Sequence, residues 1–279
     1  MITLDGSSLP HVRVSLPMYN LPEMRAQNAA FWTAMRTELE ACGVGGLPVE
    51  LDYDRKPVPA EIERDTLFSQ VCGYPLQTIF RGQAVLLGAP VYTDAYSNGP
   101  THCGIFIVAR EAPYRTLADL RGCRFAFNSI HSNSGMNLPR RAIADVAGGA
   151  PFFGSIAETH SHPGNVERVA KGEIDATCVD CVTYAFLERH RPSITNATRV
   201  LAPTPPSPSI PFVTTTAAPP KLREALTTAL MRVARADEWA EARAGLLLAD
   251  IAPIANTKVY EDLLNYADQA KALGYPDFR

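Results

Sequence analysis

Short apolar runs alternate with amphipathic helical patterns along most of this chain, and this alternation constrains the fold more than any other feature. The run GIFIVA at 104–109 and the run ATCVD at 176–180 have the length and composition of buried strands. Around them, apolar residues recur at three- and four-residue steps, as on one face of a helix. Because strands that alternate with helices form layered sheets, the sequence predicts an α/β architecture.

The pattern places individual strands and helices. Strands are predicted at 12–16, 47–53, 84–87, 104–109, 124–128, 152–156 and 176–180. The first helix begins near Pro22 and ends at Gly43, and we interpret its apolar face as core rather than as a cofactor site. Further helices are predicted to end at Gly148 and to span 165–171. The apolar faces are Met24, Phe31, Trp32, Met35 and Leu39; Leu222, Leu226, Leu230 and Val233; and Val259, Leu263, Tyr266 and Ala270.

The strand and helix rhythm restarts at Gly104, which indicates two lobes. With 46% hydrophobic residues, 279 residues are enough for two cores. The segment PTPPSPSIP at 203–211 is the strongest linker signal, because proline fixes φ and favours extended backbone. The sequence therefore predicts a discontinuous first lobe at 10–102 and 203–279, and a second lobe at 103–202.

Net charge and composition exclude several classes of binding partner. The net charge is −3 and long basic tracts are absent, so the sequence gives no reason to expect nucleic acid or an anionic membrane as partner. No apolar run approaches the roughly 20 residues that span a bilayer. The N-terminus shows no basic region followed by an apolar core, so no signal peptide is visible. The six cysteines have no framework spacing and are predicted to be mainly free thiols. We expect a small-molecule partner.

The most informative segment is FNSIHSNSGMNLPR at 127–140, where a strand ends, a small polar loop follows and a helix begins. The first N–H groups of a helix lack intrahelical acceptors and lie at the positive end of its dipole, so they favour an anion. Ser132, Asn133 and Ser134 add short polar side chains, and Gly135 permits close backbone approach. The alternative is that Ser132 or Ser134 merely caps the helix.

This loop, together with LADLRGCRFAF at 117–127 and SHPGNVERVAKGEIDATCVD at 161–180, resembles the phosphate, phosphite and phosphonate substrate-binding proteins of ABC importers. The similarity runs from about Val12 to Thr215 and is clearest from Leu117 to Asp180. It implies the type II periplasmic-binding-protein fold, with a ligand cleft between two lobes that close by a hinge motion. It also implies a periplasmic location, with a cytoplasmic one as the alternative, and an ABC permease as partner.

The resemblance also implies the site residues. The anion loop corresponds to Ser132, Asn133, Ser134 and Gly135, the family's Ser-His pair to Ser161 and His162, and its pocket aspartate to Asp180. In the first lobe, PMYNLPEM at 17–24 is similar to the ligand-facing tyrosine segment and makes Tyr19 a candidate. The chain departs from the family pattern at His102, where a tyrosine is usual, and at CGYP (72–75), where Tyr74 is inserted.

The chemistry of these residue types agrees with the resemblance. Neutral dipoles can hold an oxyanion without a desolvated cation. His162 can donate from its ring, and Asp180, at the C-terminal end of a strand, lies where open α/β sheets place ligands. Asp180 can accept from a protonated phosphonate oxygen or from a ligand ammonium group. Considered alone, however, each of these two residues is more simply explained by local backbone hydrogen bonds.

Two other site types were weighed. The pairs His160, His162 and Cys178, Cys181 suggest zinc, but residues three apart on a straight strand point to opposite faces, so no metal or cofactor is predicted. A Cys-His-Asp enzyme built on Cys72 or Cys103 with His102 or His162 is the sharper rival. The predicted function is therefore non-enzymatic capture of a small oxyanion for ABC import. The alternatives are an enzyme acting on a thiamine-related pyrimidine and a cytoplasmic ligand sensor.

Overall fold

Strands and helices alternate along the chain, as the sequence predicts. The structure, a computed structural model, describes residues 2–3, 12–56 and 62–278. The strands are β1 (Ile2–Thr3), β2 (Arg13–Val14), β3 (Val44–Gly45), β4 (Thr66–Gln70), β5 (Ala84–Tyr92), β6 (Thr101–His102), β7 (Gly104–Ala109), β8 (Arg124–Phe127), β9 (Ser155–Glu158), β10 (Ala176–Asp180), β11 (Thr198–Pro203), β12 (Ser207–Pro208), β13 (Phe212–Thr215) and β14 (Leu248–Ala252).

The α-helices are α1 (Arg25–Ala41), α2 (Gly73–Gln77), α3 (Leu138–Ala147), α4 (His162–Ala170), α5 (Cys181–His190), α6 (Pro192–Asn196), α7 (Pro220–Arg235), α8 (Ala240–Gly245), α9 (Lys258–Glu261) and α10 (Leu263–Ala272). Short 3-10 helices lie at Pro17–Tyr19, Pro22–Met24, Leu117–Leu120 and Asp237–Trp239, and Asn133–Asn137 forms a π-helical turn directly before α3.

The chain divides into two compact units. Unit 1 comprises Met1–Thr93, Asn98–Thr101 and Pro208–Thr257, and unit 2 comprises Asp94–Ser97, His102–Ser207 and Lys258–Arg279. Unit 2 gives way to unit 1 after Ser207, inside the proline-rich segment that the sequence marks as a linker. The first two residues of the predicted first lobe, 10 and 11, lie outside the described residues.

Unit 1 is built on a mixed sheet of order β14-β5-β13-β4-β2. The apolar face predicted for α1 is buried, which confirms it as core. Phe31 and Trp32 of that face stack with Phe212 and Phe68, at ring-centroid distances of 5.5 and 6.2 Å. Aromatic side chains bury a large apolar area each, so this stack between one helix and two strands anchors the unit.

Unit 2 is built on a second mixed sheet of order β11-β7-β10-β8-β9. β8 is parallel to both β10 and β9, whereas β7 is antiparallel to β10. The carboxyl ends of β8, β9 and β10 therefore meet at the edge where β7 begins. The segments that follow or precede these ends carry Ser134, His162, Asp180 and His102, so the topology gathers residues that are far apart in sequence.

The last helices differ from the prediction, which assigned residues 203–279 to the first lobe. Residues from Lys258 onward pack within unit 2. Asn137 donates from Nδ2 to the carbonyl of Leu263 at 3.0 Å, and Arg140 donates to the carbonyl of Pro276 at 2.9 Å. Phe278 contacts the ring of Phe125 edge-on at 5.1 Å. These side-chain contacts fix the C-terminal segment to α3 and β8.

Two other expectations are wrong in detail. Residues 47–53 form no strand; backbone carbonyls there accept from side chains instead, with Trp32 Nε1 donating to Pro48 and Asn20 Nδ2 donating to Tyr53. Val259 does not share the buried face of Leu263, since the helix is interrupted at Asp262 and the Val259 side chain is 42% exposed.

Candidate functional site

The polar loop predicted to bind an anion is buried at the start of the helical segment of unit 2. Ser132 is its N-cap, and the Ser132 hydroxyl accepts the N–H of Gly135 at 3.0 Å. Asn133 donates from Nδ2 to the hydroxyl of Ser207 at 3.0 Å. Ser132 and Asn133 therefore hold the loop in shape. Because Ser132 is the cap, the hydroxyl of Ser134 is not needed for capping.

Gly135 lies where a side chain has no room. A Cβ atom added there would stand 2.0 Å from Oδ1 of Asn128 and 2.9 Å from Cε1 of His162. Asn128 follows β8, is 7% exposed, and its Oδ1 has no hydrogen-bond partner among the described residues. Asn128 is not among the predicted site residues, although its position after a strand end is the signal that identifies it.

His162 begins α4, three residues before the predicted start at 165, and Ser161 is the cap of that helix. Its Nε2 lies 3.5 Å from the hydroxyl of Ser134, and its Nδ1 has no partner within the described part of the chain. A contact of 3.5 Å is long for a hydrogen bond, so both groups keep capacity for a further partner. Two polar groups predicted to share a ligand thus lie side by side.

Burial lowers the pKa of His162 from its ordinary 6.5 to about 4, with the charge of His102 acting in the same direction and that of Asp180 opposing it. The ring retains some accessible surface but is packed closely enough to lose most of its hydration. At neutral pH the imidazole is therefore neutral, with one N–H donor and one acceptor nitrogen.

His102 and Asp180 form a buried pair. Nδ1 of His102 lies 2.6 Å from Oδ2 of Asp180, and the two residues are 1% and 2% exposed. The other carboxylate oxygen, Oδ1, accepts the N–H of Thr183 at 2.9 Å and so caps α5. Both oxygens of Asp180 are engaged within unit 2, which is the local role that the sequence analysis weighed against ligand binding.

The groups around Asp180 determine the direction in which its pKa is shifted. Burial alone would raise the pKa of Asp180, but the charge and hydrogen bond of His102, the N–H of Thr183 and the charge of His162 lower it below its ordinary value. Asp180 is therefore ionised at neutral pH. Its carboxylate is hydrogen-bonded to His102 and Thr183 rather than left open towards the loop.

Tyr19 and Tyr74 belong to unit 1. Tyr19 closes a 3-10 turn, is buried, and contacts Tyr92 edge-on at a ring-centroid distance of 5.7 Å. Tyr74 lies in α2 and is partly exposed. Their part in ligand binding stays a prediction from the resemblance.

Two buried thiols at the end of β10, those of Cys178 and Cys181, are not activated as nucleophiles. Burial raises the pKa of Cys178, and the Cys103 thiol and then burial raise that of Cys181, whereas a nucleophilic thiol needs a lowered pKa. The thiol of Cys103 donates to the carbonyl of Tyr96, 3.9 Å away. Within the described residues, no group of three His, Cys, Asp or Glu side chains could hold a metal ion. No helix in the described ranges is both long and apolar enough to cross a membrane.

The family comparison decides what kind of protein carries this site. Residues 81–259 match the family described as ABC transporter, phosphonate, periplasmic substrate-binding protein. This match covers more than half of the chain and includes every predicted site residue of unit 2. The chain belongs to this phosphonate-binding family. Its function is therefore solute binding for ABC transport, and its family is a periplasmic one. No curated protein matches the sequence.

Solved structures show the same fold throughout the chain. PhnD1 from Prochlorococcus marinus, in complex with methylphosphonate, is 15% identical with a TM-score of 0.71, over 93% of this chain and 98% of that one. A binding component of an ABC phosphonate transporter from Pseudomonas aeruginosa is 14% identical with a TM-score of 0.66, over 95% of each chain. A protein from Xanthomonas citri bound to ATP is 16% identical with a TM-score of 0.65, over 98% and 97%. The phosphonate-binding chain thus has the type II periplasmic-binding-protein fold.

The lowered pKa of His162 predicts how stability responds to acid. The unfolded chain takes up a proton on this ring near pH 6.5, whereas the folded chain does so only near pH 4. Acidification between these values therefore favours the unfolded state, and the free energy of unfolding falls. Urea unfolding at pH 7, 5.5 and 4.5 should show a shallower decrease for His162→Gln than for the wild type.

The matched control is His160→Asn. His160 lies next to the same helix with an exposed side chain, and asparagine tolerates its left-handed φ of 61°. This variant should keep the wild-type pH dependence. A wild-type slope in His162→Gln would contradict the assignment of a neutral, buried His162.

Proposed function

We propose that this chain captures a phosphonate, phosphite or phosphate-like oxyanion on the loop of Ser132, Asn133, Ser134 and Gly135, with His162 as a second donor. The observation that carries this proposal is the division of roles between the two serines. Ser132 caps the helix, while the hydroxyl of Ser134 lies beside His162 Nε2 at 3.5 Å. A hydroxyl and an imidazole with spare hydrogen-bonding capacity at a helix start suit an oxyanion.

The charges around the loop support an anionic ligand held by dipoles. His162 is neutral at pH 7, so it supplies an N–H without the desolvation cost of a buried cation. The carboxylate of Asp180 is compensated by His102 at 2.6 Å, which weakens its repulsion of a bound anion. Gly135 has no Cβ, so Asn128 and the ring of His162 can pack directly against the loop backbone, which brings His162 close to the proposed site.

The ligands of two proteins with this fold agree with the proposal. PhnD1 of Prochlorococcus marinus holds methylphosphonate and the Xanthomonas citri protein holds ATP, and both ligands present oxygen atoms bonded to phosphorus. We further propose that Tyr19 and Tyr74 contribute to ligand binding and that His102 acts through Asp180. We also propose that the chain delivers its ligand to an ABC permease and is periplasmic, which the family match supports.

Calorimetric titration tests the proposed ligand class. We expect saturable, one-to-one binding of at least one among methylphosphonate, phosphite and phosphate, because all three present tetrahedral oxyanions. Acetate, a planar anion of the same charge type, serves as the control and should bind much more weakly. Binding of none of the three phosphorus compounds would contradict the proposal. Phosphorus NMR of the incubated ligand separates capture from the rival enzymatic function, since capture leaves the ligand chemically unchanged.

A further inference from the structure

Cys103 and Cys181 stand directly opposite each other at the junction of β7 and β10. The antiparallel register pairs Asp180 with Gly104, and Cys181 and Cys103 are the next pair along this ladder. The N–H of Cys181 donates to the carbonyl of Cys103 at 3.1 Å, so the pairing continues one residue beyond the strands. The Cys103 thiol is near enough to Cys181 to raise the pKa of the Cys181 thiol. Both side chains are buried.

We propose that Cys103 and Cys181 are a disulfide-forming pair, oxidised when the chain folds in contact with a low-molecular-weight disulfide. Residues directly opposite in an antiparallel ladder have Cα atoms about 4.5–5.5 Å apart. This lies inside the range of about 4.4–6.8 Å that a disulfide spans without movement of the backbone. The proposal adds a covalent site to the fold and does not depend on which ligand the chain binds.

Cys178, Cys123 and Cys42 have other surroundings. Cys178 lies within β10 opposite Phe106, not opposite a cysteine. The thiol of Cys123 donates to the carbonyl of Asp119 at 4.0 Å. Cys42, in unit 1, follows α1 and is half-buried. Cys103 and Cys181, by contrast, are brought together by register and by a backbone hydrogen bond.

The oxidation is balanced by thiol–disulfide exchange. The thiolate of one cysteine attacks oxidised glutathione, forms a mixed disulfide and releases one glutathione. The second cysteine then displaces the other glutathione, so the protein loses two protons and two electrons and two glutathione thiols form. In the folded chain the Cys103 thiol and burial raise the pKa of Cys181, which disfavours its thiolate. The exchange is therefore expected during folding, before the pair is buried.

The bond would join the neighbours of the His102–Asp180 pair. His102 precedes Cys103 and Asp180 precedes Cys181, so the disulfide would tie the two strands at the point where this ion pair lies. Ser97 and Tyr96 cover the two thiols, through Ser97 Oγ at 3.7 Å from Cys181 Sγ and the Tyr96 carbonyl. A cross-link that closes the long segment between Cys103 and Cys181 restricts the unfolded chain, so it should raise the melting temperature of the protein. The family's periplasmic setting is one in which disulfides persist.

Refolding in a glutathione redox buffer tests the proposal. The reduced, denatured full chain is diluted into a mixture of oxidised and reduced glutathione, and free thiols are then alkylated under denaturing conditions. We expect four alkylated cysteines of the six, and non-reducing peptide mapping should recover Cys103 linked to Cys181. The melting temperature of this species should be higher than that of the reduced protein.

Single variants identify the pair. Cys103→Ser and Cys181→Ser should each refold with five alkylated cysteines, whereas the control Cys178→Ser should refold with three and retain the Cys103–Cys181 link. Six alkylated cysteines in the wild type, or a link from Cys103 to Cys178 instead, would overturn the proposal. The wild-type peptide map shows directly which cysteines are linked, even where a variant folds poorly. Ligand titration of the same oxidised sample reports separately on the proposed function.

Discussion

Ser134→Ala should weaken binding of the phosphorus oxyanion by about 10- to 150-fold. The hydroxyl of Ser134 lies beside Nε2 of His162, where both can donate to one ligand. Losing a hydrogen bond to a charged group costs about 1.5–3 kcal/mol, which corresponds to this range of affinity. Calorimetric titration of wild type and variant with the best-binding ligand measures the loss. The free energy of unfolding should change little, because the serine is not the helix cap.

Ser132→Ala is the matched control two residues away. Ser132 caps the helical segment by accepting the N–H of Gly135, so its loss should cost about 1 kcal/mol of fold stability. The two alanine variants thus predict opposite patterns: mainly affinity for Ser134, mainly stability for Ser132. If Ser134→Ala leaves affinity unchanged, the oxyanion is not held by this hydroxyl.

His162→Ala provides a further check on the same contact. If Ser134 and His162 hold one bound group, their losses of affinity should not add in the double variant. Additive losses would place the two residues on separate parts of the ligand. Unchanged affinity in both single variants would move the site away from this loop.

The structure shows which parts of the fold local sequence patterns specify. β7 and β10 lie where the sequence predicts them, because each is an uninterrupted apolar run bounded by changes in composition. β4 and β13 were missed, since buried polar residues interrupt their apolar pattern. Ser69 in β4 bonds to the hydroxyl of Ser15 at 2.9 Å, and Thr214 in β13 donates to the carbonyl of Thr66. Such hydrogen bonds make polar residues acceptable in a buried strand, but they are invisible in the pattern.

In the candidate site, too, the sequence pattern shows local features but not long-range contacts. The cap, the helix start at His162 and the strand end at Asp180 are local features. The sequence places the strand end correctly, narrows the cap to Ser132 or Ser134, and predicts the helix start within three residues. The partner of Asp180 is not local. His102 is 78 positions away, and periodicity carries no information about which side chains meet across a sheet. The same holds for the C-terminal helices, whose amphipathic pattern shows a buried face but not which unit covers it.

That long-range pair carries the largest expected effect on stability. His102→Ala should lower the free energy of unfolding at pH 7 by about 3–5 kcal/mol, because it leaves a buried carboxylate without its hydrogen-bond partner. The two side chains are 1% and 3% exposed, so solvent cannot replace the lost partner. Asp180 keeps the N–H of Thr183, which compensates only part of the cost. Urea unfolding of wild type and variant measures the difference.

The pH dependence identifies the cause of that loss. In the wild type, the pKa of Asp180 is lowered, so its stabilising contribution is present above its ordinary pKa of 3.8 and is lost as pH falls through the folded value. In His102→Ala, burial acts without the opposing charge and should raise the pKa of Asp180 above 3.8. The unpaired carboxylate then becomes protonated in the folded variant at moderately acidic pH. The gap between wild type and variant should therefore be widest at neutral pH and narrow on acidification.

Asp180→Asn separates the buried charge from the shape of the side chain. Asparagine is also a good N-cap, so its amide oxygen can keep the hydrogen bond from Thr183, and its amide N–H can donate to Nδ1 of the His102 tautomer that carries its proton on Nε2. We expect the double variant His102→Ala, Asp180→Asn to be more stable at pH 7 than His102→Ala alone, because no buried charge remains. Equal stabilities of these two variants would show that the loss comes from the cavity left by the imidazole, and that the ion pair does not hold this corner of the sheet together.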